Sequence, residues 1–205
     1  MPDKVDLKKK LDSYQARRGE IRALTVERAR YLMVDGHGDP NTSGAFALAI
    51  EALFPVAYKA KFASKQELGR DYVVMPLEGL WSAADHESFT TRRDKSAWDW
   101  TLMIRQPDWV DDALVERAIA AAGAKGAPAR LADVRLAALE EGRCLQTLHL
   151  GSFDDEGPLL ERMHAQIADQ GLRMTGRHHE IYLSDFRKVA PEKLRTILRQ
   201  PVGPT

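Results

Sequence analysis

Apolar positions along the chain switch between a strand-like and a helical period. Residues 31–34 form a continuous apolar run that predicts a strand, and residues 35–41 follow as a glycine-containing turn. Residues 42–62 carry Phe46, Ile50, Leu53, Ala57 and Tyr58 at helical spacing, with Pro55 expected to kink or break the helix. Segments 72–80 and 98–104 then read as strands. The second half repeats this order: strand 145–150, turn 151–157, and a helix from Pro158 to about Gln170. Pro158 suits a first helical turn, Leu159, Met163 and Ile167 make an apolar stripe, and Gly171 suits the C-terminal cap. Strand 178–183 follows. Residues 111–122 predict a connecting helix, and 134–139 a strand forming a hairpin with 145–150 through 140–143. Residues 191–199 predict a short terminal helix or turn. Strands interrupted by helices that pack on one face imply an α+β fold.

The 205 residues are enough for one ordinary domain or two small fused halves with a real core. Thirty basic and thirty acidic residues cancel, which removes the electrostatic footprint of a nucleic-acid binder. Residues 4–30 are the most basic stretch, yet Asp12, Glu20 and Glu27 interleave, so they read as a solvated face. The N-terminus has no apolar leader and no run reaches membrane-span length, so a soluble cytoplasmic protein that does not contact membrane is expected. Cys144, the single cysteine, rules out an intramolecular disulfide and reads as a buried, inert thiol.

Two apolar runs each contain a glutamate, Glu78 within residues 73–81 and Glu180 within residues 178–183. A carboxylate among apolar and aromatic groups costs several kcal/mol unless it has partners, so it marks chemistry or ligand binding. On a regular strand His178, Glu180 and Tyr182 face one way, and His179, Ile181 and Leu183 the other. A glutamate flanked by an imidazole and a phenol has the groups for acid–base work. An ion pair with Arg177 or Arg173 is the plain structural alternative. Gly79 gives the backbone freedom beside Glu78, and Pro76 suits an edge or interrupted strand; a surface hairpin carboxylate is the plain alternative there.

The segments Gly36-His37-Gly38-Asp39-Pro40-Asn41, Asp71 to Trp81 with its Pro-Leu-Glu-Gly-Leu-Trp motif, and residues 178–202 together resemble the GyrI-like small-molecule-binding family. The resemblance spans about residues 21–202. Ser82 follows Trp81 where many relatives carry another aromatic residue. The resemblance implies a single domain over residues 1–205, with approximate halves 20–108 and 109–202. Each half would be a strand-helix-strand-strand module, the two fused with pseudo-two-fold symmetry. An antiparallel sheet would carry helices on one face and a central ligand cleft.

Trp98 and Trp100 lie two apart, on one strand face, and Trp81 belongs to the motif. Aromatic walls bind flat or cationic ligands, although such spacing also builds ordinary cores. Tyr58, His149, Phe153 and His178 are further ligand-binding candidates. No HExxH or CxxC spacing links the six histidines, of which His37 and His86 fall in loops, so neither metal nor other cofactor is expected. The glycine-rich turn at 36–41 lacks phosphate-loop signatures and reads as a tight turn with an Asn41 or Thr42 cap.

The function implied by the resemblance is binding of hydrophobic, planar or cationic small molecules. Some family members are cyclopropanoid hydrolases, which add water to a strained cyclopropane conjugated to a carbonyl. Glu180 would then act as base, Tyr182 or a protonated Glu78 as donor, and Trp81, Trp98 and Trp100 as walls. The alternatives are a non-enzymatic effector- or drug-binding protein, and an inhibitor of a protein partner such as DNA gyrase. A monomer or a homodimer is compatible with the sequence, Trp109 being a candidate dimer contact.

Overall fold

The computed structural model describes residues 4–83, 94–124 and 126–205. His86 lies outside them. The described residues form α-helices and antiparallel strands, an α+β fold, divided between two compact units. The first unit comprises Met1–Lys10, Ala29–Met75 and Trp81–Leu139; the second comprises Leu11–Arg28, Pro76–Leu80 and Glu140–Thr205.

In the first unit, strand β2 (Ala29–His37) lies between β4 (Trp98–Gln106) and β5 (Arg135–Leu139), antiparallel to both. The end of β3 (Glu78–Ala83) extends this order as β3-β4-β2-β5. Leu32 faces Ile104, and Val34 faces Leu102, all fully buried. After the short α1 (Leu7–Lys10), the helices are α2 (Gly44–Glu67) and α3 (Asp112–Gly123), which pack on each other. Ser43 caps α2 by accepting from the Ala45 N–H at 3.3 Å, one residue beyond the expected caps. Pro55 does not end the helix. A proline costs roughly 3 kcal/mol in a helix interior, but α2 buries Ala49, Ala52, Leu53, Val56, Ala57 and Ala60 completely, and that packing outweighs it.

In the second unit the order is β1-β6-β9-β8-β3, from β1 (Arg22–Val26), β6 (Gly142–Leu150), β9 (Arg195–Pro204), β8 (His178–Tyr182) and the start of β3. The short β7 (Leu172–Met174) pairs with the far end of β9. Helix α4 (Gly157–Asp169) packs Met163 and Ile167 onto Leu145, Leu172, Leu198 and Val202.

Three expectations are corrected by these pairings. Strand β5 pairs with β2, whereas β6 pairs with β1 and β9, so the expected hairpin between 134–139 and 145–150 does not form. Only Pro191–Lys193 is helical, as a 3-10 turn, and β9 is a ten-residue strand bonded to β6, β7 and β8. Its buried Arg199, Gln200 and Pro201 obscure the strand pattern. Strand β3 begins only at Glu78; upstream, Tyr72 makes an isolated bridge to Val5.

Candidate functional site

Strand β8 carries ionisable side chains on both faces. Its register with β9 pairs His179 with Arg199, Glu180 with Leu198 and Tyr182 with Thr196. Cross-strand partners share a face. Glu180 therefore lies on the side where Leu198 meets α4, and His179 lies on the opposite side.

On the first face, the Tyr182 hydroxyl donates to Glu180 Oε2 at 2.8 Å, and His178 Nε2 stands 3.6 Å from Glu180 Oε1. The structure thus brings His178, Glu180 and Tyr182 together as strand alternation predicts. Glu180 keeps 14% of its side-chain surface, against 2% for His178. The Tyr182 ring packs edge-to-face on Phe153 and Phe186, with centroids 5.6 and 5.5 Å away, and those two rings meet at 5.8 Å. Phe186 was not expected. It follows β8 in a turn with no periodicity to mark it.

The opposite face holds a buried ionic network. Gln146, Arg199 and His179 are neighbours across β6, β9 and β8. His179 binds Glu141 Oε1 through Nδ1 and Glu78 Oε2 through Nε2, both at 2.9 Å. Ionised carboxylates only accept, so both ring nitrogens donate and the ring is an imidazolium. Burial pushes His179 down, but the charge of Glu141 and hydrogen bonds to Glu141 and Glu78 overcome this and hold it above the ordinary histidine value. Burial likewise pushes Glu141 up, and His179 and Arg199 more than reverse it, to about 2. Arg199 also donates to Glu141 Oε2 at 2.7 Å, to Gln146 Oε1 at 3.1 Å and to the Ser13 carbonyl at 2.6 Å. Gln146 donates to the Gln15 carbonyl at 2.8 Å, and the Tyr14 hydroxyl donates to Glu78 Oε1. Two carboxylates and two cations balance.

Glu78 belongs to this network. Its side chain is 0% exposed, and both oxygens are taken by Tyr14 and His179. Tyr14, Glu141 and Arg199 were missed. Tyr14 was legible only as the one aromatic residue in a charged N-terminal stretch, and Glu141 was read as part of a hairpin turn.

The remaining candidates fall elsewhere. In the first unit Trp81 stacks on Phe46 at 5.9 Å and meets Trp98 at 5.6 Å, while Phe46 meets Trp100 edge-on at 5.3 Å. Trp100 is 1% exposed and its indole N–H donates to the Gly38 carbonyl at 3.2 Å. Gly36 is required beneath it, since a Cβ there would lie 2.0 Å from the Trp100 ring. Tyr58 is 48% exposed on the outer side of α2. His149 is buried, with Nε2 donating to the Ser152 carbonyl at 2.9 Å in the turn after β6. Trp109 packs within its own unit on Tyr72 and under Arg70. The Cys144 thiol is pushed up to about 12, mainly by burial. Among the described residues no group of three or more His, Cys, Asp or Glu side chains is arranged to hold a metal ion, and no helix is long and apolar enough to cross a membrane.

Residues 19–202 match the model of the GyrI-like small molecule binding domain. The chain belongs to the GyrI-like family. This GyrI-like chain resembles the crystal structure of a conserved Listeria innocua protein at 38% identity and a TM-score of 0.88, covering 98% of this chain and 100% of the other. A hydrolase from Listeria innocua is similar at 36% identity and a TM-score of 0.87, with the same coverage. The C-terminal domain of EcmrR shares the fold alone, at 9% identity and a TM-score of 0.56 over 91% of this chain and 98% of that domain. No curated protein sequence matches the chain.

Proposed function

We propose that this GyrI-like protein binds flat, hydrophobic small molecules and hydrolyses a strained cyclopropane in them, with Glu180 as the base. The observation that carries this reading is the geometry of Glu180, a partly open carboxylate whose Oε2 is held by the Tyr182 hydroxyl at 2.8 Å. The full-length similarity to a Listeria hydrolase supports turnover over storage. In the reaction Glu180 takes a proton from water while the water oxygen bonds to a cyclopropane carbon. The ring C–C bond breaks, and its electron pair passes into the conjugated carbonyl, which becomes an enolate or phenolate and is then protonated. Orienting the base and water accounts for much of the acceleration such chemistry needs. Phe153 and Phe186 fix the Tyr182 ring. The repeated order of elements reflects two fused modules of one domain.

Incubating the protein and its Glu180→Gln variant with a cyclopropane-containing alkylator, and following ligand mass, tests this. Water addition at substoichiometric protein, lost in the variant, is expected. A melting shift without a mass change would replace hydrolysis with binding alone. No response of either kind would overturn the reading.

A further inference from the structure

We infer that Tyr14 and Glu78 are positioning residues that act on Glu180 from the opposite face of the sheet, through His179. This rests on the assignment of Glu180 as the reacting carboxylate.

The geometry is that of a clamp on one strand. Glu78 reaches His179 through its side chain at 2.9 Å, and the preceding residue, Leu77, accepts the Tyr182 backbone N–H through its carbonyl at 3.0 Å. Residues 77 and 78 therefore grip β8 on either side of Glu180, at positions 179 and 182. The partner strand is held at the same level, because Arg199 faces His179 and shares Glu141 with it. His179 cannot rotate without breaking a hydrogen bond at one ring nitrogen or the other. Because neighbouring residues of a strand project to opposite sides, a tilt at His179 swings Glu180 the other way and changes its approach to Tyr182 and His178.

Tyr14 completes the clamp. It occupies the second oxygen of Glu78, and the backbone on either side of it is held by Arg199 at Ser13 and by Gln146 at Gln15. A buried carboxylate with one donor removed would turn to recover a partner, and Glu78 would then draw on His179 in a new direction. The order of influence is Tyr14 to Glu78, Glu78 to His179, and His179 to Glu180.

The test compares wild type, Tyr14→Phe, Glu78→Gln and Glu78→Ala in two measurements. One is turnover of a cyclopropane-containing alkylator. The other is a pH titration of the Glu180 side-chain carboxyl carbon by NMR in 13C-glutamate-labelled protein, assigned with Glu180→Gln. The titratable groups within the described contacts of Glu180 are His178 and Tyr182, and none of the variants alters either. Tyr14→Phe is expected to lower kcat about tenfold with KM unchanged and to move the Glu180 titration midpoint. Glu78→Gln keeps an acceptor for His179 and should retain more activity than Glu78→Ala. A Tyr14→Phe protein that melts lower, yet keeps kcat and a superimposable Glu180 titration, would make the network purely structural and overturn the inference. If wild type shows no turnover, the hydrolase reading fails separately, and the carboxyl titration still decides whether Tyr14 positions Glu180.

Discussion

His179 Nε2 meets Glu78 Oε2 at 2.9 Å with neither side chain exposed to solvent. With Glu141 on the other ring nitrogen and Arg199 on Glu141, the charges close into a neutral set. Removing one member strands its opposite. Glu141→Ala should cost roughly 3–5 kcal/mol, as expected for a buried pair broken on one side, and equilibrium urea unfolding at pH 7 measures it.

The same network sets the response to acid. Glu141 is held at about 2, below its ordinary value of 4.5, so its contribution is fully present above pH 4.5 and fades as pH falls toward 2. That depression corresponds to stability on the order of 3 kcal/mol. His179 has the opposite sign: its raised value contributes fully below pH 6.5, and the contribution is lost as pH climbs through the folded-state value. Unfolding midpoints across pH should fall on both sides, and Glu141→Gln should flatten the acid limb between pH 4.5 and 2.

Tyr182→Phe removes the donor to Glu180 without removing the ring from Phe153 and Phe186. The stability loss should be about 1 kcal/mol, typical of one hydrogen bond. Turnover should fall by about tenfold or more, since the proposed base, Glu180, loses its orientation. Steady-state kinetics beside thermal unfolding separates the two effects.

Gly36→Ala is expected to be far more damaging than its size suggests. The added methyl would lie 2.0 Å from the Trp100 ring, which is fully enclosed, so strand or indole must shift. The cost should be about 1–3 kcal/mol, with altered tryptophan fluorescence because Trp100 also contacts Phe46.

Cys144 should resist thiol reagents in the native protein at pH 8, where its thiol stays protonated and buried. Full labelling should appear only with denaturant, at the rate of unfolding. Rapid native-state labelling would contradict the burial.

Local pattern accounts for much of what the fold shows. The helical spacing from Phe46 onward marks α2, the stripe of Leu159, Met163 and Ile167 marks α4, and alternation puts His178, Glu180 and Tyr182 on one side. These are properties of a residue and its near neighbours, because a strand turns each successive side chain over and a helix returns every third or fourth to the same face. Tertiary structure alone decided the rest. It gave Glu78 to a buried network, placed β5 against β2, and made β9 a strand flanked by β6 and β8. The decisive contacts join residues 64, 101 and 186 positions apart: Tyr14 to Glu78, Glu78 to His179, and Ser13 to Arg199. Alternation settles which way a side chain points within its own strand. Which strand or segment it meets depends on long-range pairing, where burying one charge is tolerable only because another, far away in the chain, arrives to balance it.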